Sequence, residues 1–410
     1  MRKKCFLITF FLISCILLLL ISCKDSLGNN GIIFADLDLE TAVRNAEGYT
    51  GEAIGPIFPE DVLGITLLDV SHEEPIESNT RDGEEKNHPV FFFPKNNLSD
   101  TQELFYEKET AFGTITSLAG IQYLVNLQTL LLKNNYVSDL SPIKYLTHLK
   151  TLDFSGNQIT NIFHLQKLTN LEFLHFSDNH VVDLSVLSHL TKLKELQFMF
   201  NQANDLSPLA GLTEIIVLNF NFNNVSDITV LQNLSKLQFL SMSWNDISNL
   251  SVLENLLNLT DLYFWHNQIA DLMPLQNLTN IVNLNFGQNS VSNIMPIQNL
   301  INLQKLSFWG NEVTDISPLQ NMLNLEELWF ELNQVSDLSV LQNLTKLEEL
   351  CFWDNQVSDI SNLVNNPGIA ENDYIDMRAN FLDLTEGSQD MLNIQTLVNR
   401  GVEVIYLPQY

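Results

Sequence analysis

From Leu127 onward the apolar positions recur every 22 residues, and eleven such units run to Gly368 without an insertion. The consensus unit reads L-x-x-L-x-(F/L)-x-x-N-x-(V/I)-x-(D/N)-(L/I)-x-x-(L/I)-x-x-L-x-x. The fourth position is Leu in every unit, from Leu130 to Leu350. The ninth is Asn in every unit, from Asn135 to Asn355, and the thirteenth is always Asp or Asn. Alternation of apolar and polar residues around the fourth position predicts a short strand with one buried face. The later apolar positions predict a turn and a short helical or extended return segment. No unit can bury its own leucines. Stacked neighbours can, with about 1.5–3 kcal/mol for each side chain removed from water.

A period of this length falls in the leucine-rich-repeat range. The predicted fold is therefore an α/β solenoid with a parallel sheet along its concave side. The ninth-position Asn sits where the chain leaves the strand, placed to satisfy backbone groups that the turn leaves unpaired. The thirteenth-position Asp or Asn is placed to cap the return segment. The sixth position is Phe in nine of the eleven units, from Phe154 to Phe352, and predicts a stacked aromatic column inside the coil.

A solenoid needs caps, because its terminal apolar faces otherwise stay wet. Residues 32–126 read as the N-terminal cap. An amphipathic helix from Asp36 stops at Gly48, and a first strand covers Ile65 to Val70. Ile115, Leu118, Ile121 and Leu124 then supply the second half of a partial repeat. Between those halves lies an acidic, polar insertion, 71–113, holding Phe91-Phe92-Phe93. It reads as an elaboration of the cap whose phenylalanines pack on the first coil. Residues 369–410 read as the C-terminal cap: a strand around Ile375, a helix near 388–399 ended by Gly401, and a strand from Val402 to Tyr406.

The N-terminus has a different pattern. Arg2, Lys3 and Lys4 precede an uncharged apolar run from Cys5 to Ser22, the layout of a signal peptide. Leu20-Ile21-Ser22-Cys23 resembles the lipobox of bacterial lipoproteins, and polar residues follow at once. The resemblance implies that residues 1–22 are removed, that Cys23 carries lipid, and that 23–31 is a short tether. The repeat unit, as in Leu303 to Met322, resembles those of internalin-like bacterial surface proteins. So do the helical cap and the closing strand Tyr374 to Leu384. That resemblance implies a right-handed curved solenoid, display in the cell envelope, and recognition of a protein by the concave face. Two departures stand out: no wall-sorting motif or folded domain follows the repeats, and the insertion is foreign to the usual cap.

Charge narrows the partner. The chain carries 49 acids against 20 bases, a formal charge of −29. Such a surface repels phosphate backbones and anionic lipid, so nucleic acid is excluded and membrane contact is left to the N-terminal lipid. Of four cysteines only Cys351 lies in the repeats, so the body is held by packing without disulfides. No cysteine or histidine pair has metal-ligand spacing, and no glycine-rich phosphate loop is present. No cofactor is expected. Cys351 is the one available nucleophile, but the nearer concave histidine lies four rungs away, so catalysis is not expected either. A monomer is expected.

The candidate site is the concave face, fed by positions three, five, seven and eight. All five tryptophans fall there. Trp265, Trp309 and Trp353 share position seven, Trp329 is at position five and Trp244 at position eight. Phe200, Phe222 and Tyr263 join them. With rungs about 4.8 Å apart, the position-seven tryptophans should stand about 10 Å apart as an exposed ridge. Asp261, Glu327, Glu331, Glu349 and Asp354 edge it. Trp and Tyr are favoured contact residues, so the ridge suits a protein with basic and apolar groups. A glycan stacked on the rings, or an envelope protein of the same cell, is the alternative.

Overall fold

The computed structural model describes residues 31–71 and 113–409. Cys23, the segment expected to be a signal peptide and nearly all of the insertion, including Phe91 to Phe93, lie outside the described residues. Fourteen three-residue strands form one parallel sheet in simple sequence order. The architecture is the predicted α/β leucine-rich-repeat solenoid.

The period sets the register. Strand β2 (Thr129–Leu131) pairs with β3 (Thr151–Asp153) so that Leu130 faces Leu152, and every pair to β12 (Glu349–Cys351) keeps the 22-residue step. The first strand, β1 (Leu67–Asp69), lies before the insertion yet pairs in register, Leu68 against Leu130. At the far end Leu350 meets Ile375 of β13 (Tyr374–Asp376), which pairs with β14 (Glu403–Ile405). The fourth-position leucines are buried throughout. The return segments are 3-10 turns of three to five residues, apart from a short α-helix at Ser361–Asn365. Nine sixth-position phenylalanines form the expected column, their centroids 5.5–5.9 Å apart wherever two are adjacent; Met242 interrupts it once.

The asparagines form a ladder. Asn179 Nδ2 donates to the carbonyls of Phe176 and Ser177 in its own unit and of Phe154 in the unit before. Its Oδ1 accepts from the Ile159 N–H of that preceding unit at 2.8 Å. Each rung is thereby tied to its neighbour by a side chain as well as by the sheet. Asn135 does the same across the insertion, donating to the Val70 carbonyl. The thirteenth-position residue acts one step earlier than expected. Asp139 accepts from the Ser141 N–H at 2.8 Å and so precedes the N-cap, Leu140, rather than occupying it; every other unit repeats the bond.

The N-terminal cap helix spans Leu37–Asn45, ending before the Gly48 that the sequence suggested. Asp36 caps it with one carboxylate oxygen and accepts the Thr116 N–H with the other, locking the helix to the partial repeat. Gly48 is needed where it stands: its φ is +90°, and a Cβ there would meet the Gly64 carbonyl oxygen at 2.2 Å. The C-terminal cap helix spans Gln389–Asn399, its end covered by Ser388 accepting from the Met391 N–H. Among the described residues no helix is long and apolar enough to cross a membrane.

Candidate binding face

Position eight decides how the aromatic residues meet. In all eleven units this residue has a positive φ, between 45° and 65°. The left-handed region is disfavoured for L side chains by about 1–2 kcal/mol, and glycine or asparagine relieves the cost. Gly156, Gly310 and Asn134 are such residues. On four successive rungs, however, the position holds Phe200, Phe222, Trp244 and His266. Their rings stack: Phe200 on Phe222 at 4.1 Å, Phe222 on Trp244 at 5.2 Å, and Trp244 on His266 at 3.5 Å. His266 Nδ1 and Gln288 Oε1 close the row with a 2.7 Å hydrogen bond. Trp244 is the most open of the tryptophans, at 38% exposure.

The even tryptophan ridge expected from spacing is not what forms. Trp265 and Trp309 stand 6.3 Å apart, not about 10 Å. The reason is Gly287 between them: a Cβ there would come within 2.3 Å of Trp309 Nε1, so the indole lies over the glycine and leans back toward Trp265. Trp265 in turn meets Trp244 edge-on at 5.7 Å and Phe222 at 6.1 Å. It is 6% exposed, Tyr263 8% and Trp329 9%, so these three brace the face instead of standing out from it. Tyr263 packs on Phe239 at 5.5 Å. Trp309, Trp353, Phe200 and Phe222 are half-buried, as are Glu327, Glu331, Glu349 and Asp354. Asp261 is buried and accepts from Asn283 Nδ2 at 2.6 Å.

The acids divide by partner. Glu327 pairs with Lys305 at 2.8 Å, and Asp376 with Arg378 at 2.7 Å. Burial, helped by Asp376 and Glu349, raises the Glu331 carboxyl to about 8. Burial and the acids Glu331, Glu349 and Asp376 push the Cys351 thiol far above its ordinary range, so it is held as a neutral thiol.

Sequence reading missed three things here: His266 as the fourth ring, the role of Gly287, and an ion-pair cluster nearer the N-terminus. Only the run of rings at position eight signalled the first. In the cluster, His175 lies 2.9 Å from Glu195 and 3.8 Å from Asp153. Burial disfavours the imidazolium, but the two carboxylates outweigh it and raise His175 from 6.5 to about 9. A raised folded-state value stabilises the fold fully below 6.5, and that contribution is lost as pH rises through 9. Unfolding free energy should thus fall across that window, by up to about 1.4 kcal/mol per pH unit. Denaturant titrations checking this should give a flatter profile for His175→Gln; equal slopes would remove the histidine from the account.

Comparison with known proteins agrees with this geometry. A family model for leucine-rich repeats in two copies matches residues 125–167, 169–211, 301–343 and 324–365. The matched segments all fall on the repeat array, at its two ends. Among solved structures it is similar to an internalin, InlF, from Listeria monocytogenes: 27% identity, TM-score 0.66, covering 84% of this chain and 97% of that one. It shares its fold with the Leptospira interrogans leucine-rich-repeat protein LIC12759, at 21% identity and TM-score 0.64 over 71% of this chain and 81% of that one. It also shares it with the plant peptide hormone receptor RGFR1, solved in complex with RGF2, at 17% identity and TM-score 0.53 over 70% of this chain and 57% of the receptor. No curated protein matches at the level of sequence.

Proposed function

We propose that this chain is a lipid-anchored, extracytoplasmic binding protein that recognises a protein partner through the outer face of its sheet, without catalysis. The observation that carries the reading is the ring stack of Phe200, Phe222, Trp244 and His266. Bulky rings held at positive φ cost stability that asparagine or glycine would not, and strain of this kind persists where the surface it creates is used. Stacking returns only part of that cost, about 0.5–1.5 kcal/mol per pair. An exposed indole held rigidly between two rings is also a low-entropy contact. The likeness to InlF supports the reading, as does the fold shared with a peptide-bound receptor. The lipid would be carried by Cys23, on the strength of its lipobox-like setting.

Trp244→Asn tests the face cleanly, because asparagine accepts the backbone that tryptophan strains. Thermal stability should hold or rise, while affinity for the partner surface falls about thirtyfold, the loss of a contact worth about 2 kcal/mol. Labelled protein would be measured on animal cells and on bacterial envelopes, before and after protease stripping. Binding removed by protease and weakened by Trp244→Asn supports a protein partner. Binding that survives protease but needs Trp244 turns the same face toward a glycan. Binding indifferent to Trp244 rejects the face.

A further inference from the structure

Near the C-terminal end of the same face, the position-seven row reads Trp265, Gly287, Trp309, Glu331, Trp353 on consecutive rungs. Trp309 leans over Gly287 toward Trp265, which clears the side of the row facing Glu331. Glu331 Oε2 is closed off from solvent and has no hydrogen-bond partner among the described residues. The Ser307 hydroxyl, one rung earlier at position five and 2% exposed, is likewise buried and unpartnered among them, and so is Glu327 Oε2. An unsatisfied buried acceptor costs about 1–3 kcal/mol, more if charged. The Glu331 oxygen is thus a buried acceptor that a donor from outside would satisfy.

The cations already present are committed. Lys305 is held by Glu327, and Arg378 by Asp376. Among the described residues, Glu331 and Glu349 make no ion pair. We propose that Glu331, between Trp309 and Trp353, is the seat for one basic side chain of the partner, an alkylammonium or guanidinium group. Trp353 stands on the next rung of the same row, and an indole beside the seat suits a cation, which a ring quadrupole attracts. The Glu331 carboxylate accepts its N–H groups. This deepens the proposed function and rests on it.

The seat has a proton signature. The titratable groups acting on Glu331 are Glu349 and Cys351 of β12 and Asp376 of β13. Among them Glu331 holds its proton up to about pH 8, mainly through burial. Seating a cation displaces that proton. Affinity for a basic group therefore rises with pH until about 8 and then levels, falling by up to tenfold for each unit below.

The probe is N-acetyl-arginine methylamide, titrated to the tens of millimolar into the whole chain, with the uncharged citrulline analogue alongside. Indole N–H resonances of Trp309 and Trp353 report occupancy, and calorimetry in two buffers of different ionisation enthalpy reports proton release. We expect the arginine derivative to bind with proton release below about pH 8 and the citrulline analogue to bind at least about tenfold more weakly. Glu331→Gln should weaken binding by at least about tenfold and abolish the pH dependence. Equal binding of both analogues, absence of any indole shift, or a Glu331→Gln variant with unchanged pH dependence would each overturn the seat. If the arginine derivative fails while Trp244→Asn still weakens partner binding, the seat falls and the face stands. If it binds while Trp244→Asn leaves partner affinity unchanged, the seat stands and the face falls.

Discussion

Asn179→Asp should destabilise the solenoid more than any other change of similar size, by about 3–5 kcal/mol. The side chain is buried, and its Nδ2 donates to three backbone carbonyls, those of Phe154, Phe176 and Ser177. Replacing the amide with a carboxylate sets an anion against three oxygens that offer it nothing. Only the bond from the Ile159 N–H, at 2.8 Å, survives unchanged. Proton uptake by the new carboxylate would restore one donor, so the defect should shrink at low pH. Asn179→Ala should cost less, about 2–3 kcal/mol, because it leaves unsatisfied groups but no buried charge. In a linear array each coil leans only on its neighbours, so the loss should be local. Hydrogen exchange would then show faster opening in the rungs around residues 150–200 and little change near residue 350. A carboxylate variant as stable as the parent would mean that sheet bonds alone hold the turns.

The second large effect is expected in the aromatic column. Phe308 stacks on Phe286 at 5.7 Å and Phe330 at 5.6 Å and is fully buried. Phe308→Ala should cost about 3–5 kcal/mol, because two flanking rings lose their partner and the backbone cannot collapse into the gap. The protein supplies its own control at Met242, which fills the same position between Phe220 and Phe264 and is also fully buried. Phe308→Met should accordingly cost less than about 1.5 kcal/mol. Chemical denaturation of both variants checks the pair. Equal losses would show that ring stacking itself, not filled volume, holds the column.

Both expectations concern residues whose roles were visible in the sequence, and the reason is periodicity. A residue that recurs every 22 positions occupies the same place in every coil. The strand register, the leucine core, the phenylalanine column and the asparagine turn all follow from one unit. The insertion does not disturb this, because β1 pairs through Leu68 and Leu130 whatever the length of chain between them. The sheet's outer face differs in kind. Its residues change from rung to rung, so what they do depends on neighbours that no period specifies.

Tertiary structure therefore decided the site. That five tryptophans share one face followed from spacing, but which of them reach solvent did not. Gly287 brought Trp309 and Trp265 together by having no side chain, an effect that concerns the residue one rung away. Position eight carried a second decision. Its positive φ turns Phe200, Phe222, Trp244 and His266 ring to ring, and no apolar–polar pattern encodes that backbone twist. The unpartnered Glu331 oxygen is a third, since satisfaction of a polar atom is a property of everything packed around it. The sequence by itself determined the coil, because repeated local rules add up along a stack. The candidate face emerged only in three dimensions, because it is made of unrepeated side chains meeting across rungs.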